Sequence, residues 1–269
     1  MSALRISATG SGPVLADRLR QVAVSLTYVA CIAANLVGAG VVGDREVSTA
    51  DNAAFAADSS LLTPAGPAFS IWSLVYLGLA AYVVVQWLPS RAAATRHRAI
   101  GWLVVAASAL NALWLQVTLD GYLWTSVPVI VLLLVVLAEI VRRLTQHPAE
   151  DRLDRLVTDG SFGLYVGWVS LAVVANVAAA TTAAGAAATG RNATVVAVVV
   201  LVVIAGATAL MARTWGGRLA VAAAQTWGLA WVAYGRLAGE PPSAVVGLVA
   251  MAAALVPPVA AGLVRRRTR

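Results

Sequence analysis

Residues Leu61–Tyr82 read LLTPAGPAFSIWSLVYLGLAAY. The run beyond Pro67 is apolar enough to enter a bilayer, yet it follows two prolines and a glycine and carries Phe69, Trp72 and Tyr76 at helical spacing. A helix bathed only in lipid has no use for a one-sided aromatic stripe, so the stripe is expected to face protein. Pro64 and Pro67 keep the preceding loop from continuing the helix and pre-set its angle of approach, which makes that loop an expected lid over the stripe.

The rest of the chain is of the same kind. Sixty per cent of its 269 residues are hydrophobic and 12% are charged, a balance that excludes an ordinary water-soluble domain. Crossing a hydrocarbon core takes about 20 apolar residues. Eight runs qualify: 21–43, 67–88, 99–119, 122–141, 161–183, 193–212, 218–237 and 243–263. The runs are apolar on both parities, unlike barrel strands, and backbone amides cannot go unpaired in lipid. The predicted fold class is all-α, a polytopic membrane helical bundle.

All 19 cations are arginines, and they lie between the runs. With a cytoplasmic N-terminus, 16 fall on the inner side and only Arg45, Arg191 and Arg236 on the outer, so both termini are expected inside. The basic charge then reads as topology signal beside anionic headgroups, not as nucleic-acid binding. No cleavable signal peptide is expected in residues 1–20, a cytoplasmic segment. The lone Cys31 excludes an intramolecular disulfide or a cysteine metal cluster. The linker 142–160, with four arginines and four acids, reads as a solvated, partly helical connector. His97 and His147 are expected in inner loops, away from any mid-membrane haem. Glu139 reads as snorkelling with Arg142 and Arg143.

Polar groups inside spans are costly unless partnered, so they mark faces turned to the bundle interior. Span one carries Tyr28, Cys31 and Asn35 on one face; span three carries Ser108, Asn111, Trp114 and Thr118; span five carries Tyr165, Trp168, Ala172 and Asn176. With Phe69, Trp72 and Tyr76, four of the first five spans present a polar or aromatic seam. Such seams either tie helices together or line a cavity. Trp87, Trp102 and Trp124 suit an interfacial belt, whereas Trp72, Trp114 and Trp168 sit deeper in their spans and favour the cavity. Gly163 and Gly167 form a GxxxG pair suited to close helix contact within a protomer or at a dimer seam.

PAFSIWSLVYLGLAAYVVVQ (67–86) resembles the second helix of the TspO/MBR family, the translocator or tryptophan-rich sensory proteins. Asn111-Ala112-Leu113-Trp114 is similar to that family's third-helix NxxW, and Leu164–Asn176 to its fifth-helix series of tyrosine, tryptophan and asparagine, with Leu164 where the family has proline. The resemblance spans roughly residues 20–183. It implies a five-helix bundle around a pocket for a flat hydrophobic ligand, a porphyrin or other tetrapyrrole or a sterol-like lipid, with no obligatory cofactor and often in a homodimer. The ligand-binding residues it implies are Phe69, Trp72, Tyr76, Asn111, Trp114, Tyr165, Trp168 and Asn176, to which the seam of span one adds Asn35.

The expected organisation is therefore an N-terminal segment 1–20, a TspO-like bundle 21–183, and three further spans in 184–269 ending in a basic tail, in a bacterial cytoplasmic membrane. Span six, almost without polar content, reads as lipid-exposed support. Span seven carries Trp227, Trp231 and Tyr234 on one face, either interfacial aromatics or a second wall. A transporter or an integral-membrane enzyme acting on an isoprenoid-like lipid is the rival reading. Proton-coupled transport usually needs a buried acid and such an enzyme a metal-binding motif, and the spans show neither; a binding protein that is not an enzyme is the expectation.

Overall fold

The computed structural model describes residues 13–38 and 55–267. Arg45 and the end of the first expected span, 39–43, lie outside these. Eight long helices carry the architecture: α1 (Leu15–Gly38), α2 (Ile71–Val85), α3 (Thr95–Leu119), α4 (Leu123–Gln146), α5 (Gly160–Ala183), α6 (Arg191–Thr214), α7 (Leu219–Ala238) and α8 (Ala244–Arg267). No strand occurs among the described residues. Among the described residues, seven helical stretches are long and apolar enough to cross a membrane. The helix not among them is α7, whose Gln225, Thr226 and aromatic residues dilute its aliphatic content.

α1 packs on α3, α3 on α4, α4 on α5, α5 on α2 and α2 back on α1, which closes a ring of five helices. Its centre is filled by Leu133, Leu137, Ile140, Phe162 and Val166, all fully buried. α7 lies against the outside of α5, α8 against α7, and α6 against α8, forming a second layer with its own core around Leu201, Leu229, Val246 and Ala250. The outer face of α6 leaves Val195, Val199, Val202 and Val203 more than half exposed, as a lipid-facing helix must.

The α5–α7 contact depends on glycine. A Cβ at Gly163 would lie 2.8 Å from Ala220 Cβ, and one at Gly167 would lie 2.6 Å from the Val221 carbonyl oxygen. The GxxxG pair is thus consumed inside the protomer. At the α3–α4 corner, Gly121 takes φ 80°, a left-handed conformation that glycine adopts without steric cost.

α2 begins where its sequence predicts. A 3-10 turn, Gly66–Ser70, places Pro67 in its first turn, where no backbone N–H is lost, and runs directly into Ile71.

Three expectations at the arginine-rich end need correction. The first helix starts at Leu15, not near residue 21, because Asp17 accepts a hydrogen bond from Val14 N (3.1 Å) and is neutralised by Arg20 and Arg98 (3.1 and 2.5 Å). The 142–160 linker is partly helical and mostly exposed, as expected; what needs correction is that it is pinned to the bundle, with Asp154 and Thr158 fully buried. α4 continues to Gln146, and the turn Arg152–Asp154, followed by a wide π turn at Arg155–Asp159, buries Asp154 completely. Asp154 pairs with Arg96 at 2.8 Å and accepts from Thr158 Oγ1 at 2.6 Å. Asp159 pairs with Arg96 and, at 2.8 Å, with Arg218, and Asp151 pairs with Arg91. Hydrogen bonding from Asp154 N, with Arg91 nearby, holds the Asp151 carboxyl below its usual range. Opposite charges brought by separate segments satisfy one another, which is what allows them out of water. The third correction concerns His97, which lies not in a loop but in the first turn of α3, 1% exposed, stacked on Tyr82 and 3.3 Å from Asp154. Glu139 does pair with Arg142 and Arg143, at 2.6 and 2.7 Å.

Candidate ligand-binding cavity

A cavity of about 660 Å³, within the size range of small-molecule sites, is lined by both the ring and the second layer. Its walls come from α1, α2, α3, α5, α6 and α7, and the loop stretch 55–66 supplies Phe55, Leu62, Pro64 and Gly66. Six of the nine ligand-binding residues expected from sequence line it: Asn35, Phe69, Trp72, Tyr76, Trp114 and Trp168. Asn111, Tyr165 and Asn176 do not. They stand behind the lining.

Trp72 is the hub of the aromatic wall. Its ring lies nearly parallel to Tyr76 (centroids 5.3 Å, 14°) and to Trp114 (6.3 Å, 27°). Trp168 and Tyr165 meet it edge-on, at 6.3 and 5.9 Å. Phe69 abuts Trp168, and Phe55 abuts Trp114, in the same edge-on manner. Both offset-stacked and T-shaped arrangements are favourable for aromatic quadrupoles.

A knot of polar groups sits at one edge. The Tyr76 hydroxyl has one proton, and the 2.5 Å contact to Asn35 Oδ1 takes it in preference to the 3.3 Å contact to Asn111 Oδ1. Asn35 Nδ2 donates to Cys31 O (2.8 Å) and to Asn111 Oδ1 (3.2 Å), and the Cys31 thiol reaches the same oxygen at 3.4 Å. Asn111, fully buried, therefore ties α1 to α3, and α2 joins them through the Tyr76–Asn35 bond. The Tyr165 hydroxyl is turned toward Asn111 without completing a hydrogen bond.

Asn176 plays the parallel part for the aromatic wall. Its Oδ1 accepts from Trp114 Nε1 at 2.9 Å, and its Nδ2 donates to Ser126 Oγ at 2.8 Å. Ser126 in turn donates to Leu123 O at 2.7 Å. Trp114 is thereby held in one orientation by a residue that never touches the cavity.

The loop 55–66 is fastened to α7. Arg236, 1% exposed, donates to the carbonyls of Ala57 (2.7 Å), Ser60 (2.9 Å) and Glu240 (2.7 Å), and Ala65 N donates to Trp231 O (3.2 Å). Trp227 Nε1 donates to Ala68 O at 2.9 Å, which pins the 3-10 turn that precedes the aromatic stripe. The described part of the expected lid is thus a braced cover.

The sequence reading gave α6 only a lipid-facing role and left α7 as either interfacial aromatics or a second wall formed by Trp227, Trp231 and Tyr234; other residues of both helices line the cavity, and those three do not. Leu201 and Ile204 of α6, and Gly228, Leu229 and Val232 of α7, all line the cavity. α6 has no aromatic residue, and its one buried polar side chain, Thr208, bonds to its own backbone, so little in its sequence separates the inner face from the lipid face. On α7 one signal existed: Gly228, where a Cβ would lie 2.5 Å from Leu171 Cδ1, shows that this helix must come close.

A family model described as TSPO-like protein matches residues 21–262, a stretch that takes in all eight helices and not only the first five. No curated protein and no solved structure gives a significant match.

Proposed function

The chain belongs to the TSPO-like protein family, and on that premise we propose that it binds a flat hydrophobic ligand, a porphyrin or other tetrapyrrole or a sterol-like lipid, in the 660 Å³ cavity. It acts as a tryptophan-rich sensory or translocator-like protein of a bacterial cytoplasmic membrane. The reading is of binding, not turnover.

The observation that carries it is the aromatic wall centred on Trp72 with the Asn35–Tyr76 hydrogen bond at its edge, both on the cavity surface. A broad apolar disc gains on the order of 1 kcal/mol per aromatic contact beyond burial, and a few amides and hydroxyls then fix its rim. Intercalation requires about 7 Å between ring planes, two van der Waals separations. The Trp72 and Trp114 centroids are only 6.3 Å apart. The ligand therefore lies along the open face of the array and not between its members.

Titration of the detergent-solubilised protein with protoporphyrin, followed by tryptophan fluorescence, tests this. Trp72→Phe, Trp114→Phe and Trp168→Phe should each reduce the quenching amplitude and weaken binding by roughly threefold to tenfold. Identical titrations for the native protein and all three variants would remove the cavity from consideration as the site. The absorption spectrum of the recovered porphyrin should be that of the porphyrin added.

A further inference from the structure

The cavity has two chemically different parts. From the ring, Asn35, Trp72, Tyr76, Trp114 and Trp168 offer π faces, one amide and a hydroxyl. Toward the second layer the lining is aliphatic throughout: Leu171, Val174, Leu201, Ile204, Leu229 and Val232. The division also appears in the packing. The aliphatic residues all belong to, or pack against, the core shared by α6, α7 and α8, while Trp114 belongs to, and Trp72 and Tyr76 pack against, the core of the five-helix ring.

α5 forms the divide. Ala172 packs on the core of the ring and Leu171 and Val174 on that of the second layer, while Trp168 lies between, clustered with Ala68 and Ile71 and with Ala224 and Trp231 of α7. The two parts meet at Gly228, where a Cβ would lie 2.5 Å from Leu171 Cδ1 and 3.4 Å from the Trp168 ring. Bare backbone at that position keeps α7 close to α5. A ring seated on the aromatic wall with its rim at Asn35 and Tyr76 leaves the aliphatic part, which offers no hydrogen-bonding side chain, to a group without polar atoms. An alkyl chain is such a group.

Resting on the ring-binding reading above, we infer that the ligand has two parts, a planar ring system seated on the aromatic wall and a flexible aliphatic chain running into the α6–α7 part, as in a prenylated or alkyl-esterified ring. The chain leaves lipid for protein, so transfer from water does not drive its entry. What it gains is van der Waals contact with a shaped wall, the same force that associates helices in bilayers. A ring without a chain leaves the aliphatic part to be filled by a lipid tail.

The test compares two probes, a naphthoquinone without a side chain and the same naphthoquinone bearing a short isoprenoid chain. Each is titrated by tryptophan quenching in a single detergent, so that partition into micelles is common to every variant. The native protein should bind the chain-bearing probe about fivefold or more tightly than the chainless one. Ile204→Phe on α6 and Val232→Phe on α7 fill the aliphatic part from different helices, and each should bring that affinity ratio close to one. With two helices probed, a folding failure of one variant leaves the other to decide. A native ratio near one, with the chainless probe bound, overturns this inference alone; so does a ratio that survives in the folded variants. If the native protein binds neither probe, the ring-binding reading falls and this inference falls with it.

Discussion

Single side chains that never reach the cavity decide its shape. Asn176 is the clearest case, because its carbonyl oxygen is the partner of Trp114 Nε1 at 2.9 Å and its amide is held by Ser126. Replacing it with leucine leaves a buried indole N–H with no acceptor and frees Trp114 to rotate. Polar ties between membrane helices contribute about 0.6–2 kcal/mol each. Asn176→Leu is therefore expected to lower stability by about 1–2 kcal/mol and to weaken porphyrin binding roughly threefold to tenfold. Thermal unfolding in detergent and the quenching titration measure the two effects. A stability loss with unchanged affinity would confine Asn176 to tying helices. The sequence placed Asn176 and Trp114 on interior seams by spacing alone, and both are inside. It could not show that Asn111 and Asn176 would stand behind the lining, since spacing defines a face of a helix and not the depth at which a side chain ends. Ser126 went unnoticed because a lone serine in an otherwise aliphatic span resembles the many serines that bond to their own helix backbone.

Between elements, close approach governs the architecture. α5 is the one helix shared by the ring and the second layer, and its glycines let α7 come near enough for Gly228, Leu229 and Val232 to reach the cavity. A methyl at Gly167 would lie 2.6 Å from the Val221 carbonyl oxygen and 2.9 Å from Ala224 Cβ, so the helices must part. Gly167→Ala should destabilise by about 1–3 kcal/mol, the usual range for overpacking. Gly206 is the control: a Cβ there meets nothing within 4 Å, and Gly206→Ala on α6 should be neutral or stabilising by up to about 1 kcal/mol. Paired melting curves in one detergent decide it, and equal effects from the two substitutions would contradict the α5–α7 contact. The GxxxG spacing was legible in the sequence, but its partner was not. A small-residue stripe announces that something approaches, and only the fold reveals that α7 does so and not a second protomer. The role of α6 was invisible for a related reason, because its cavity face and its lipid face are both aliphatic.

For the molecule as a whole, the number and placement of the long helices followed from counting apolar runs against bilayer thickness, while the closure of five helices into a ring did not, since contacts between aliphatic faces leave no compositional mark. Charge placement has the opposite character, plain in sequence and partly altered in meaning by the fold. Arg20, Arg91 and Arg96 are buried in ion pairs and so act as ties between segments, while Arg265, Arg266 and Arg267 stay exposed on the final turn of α8. Either way the arginines concentrate at one end of the bundle, and translocating them is costly. That end is expected to be cytoplasmic, which would put the loop 55–66 and its Arg236 anchor on the opposite side, facing whatever ligand arrives from outside. Cysteine labelling can settle the orientation because the native Cys31 is 2% exposed and gives little background. Ala187→Cys, in the exposed α5–α6 connection, should react with a membrane-impermeant maleimide in intact cells. Arg266→Cys should react only after permeabilisation. The reverse pattern would invert the bundle and open the braced loop to the cytoplasm, and labelling of both positions in intact cells would mean that the arginine asymmetry does not set a single orientation.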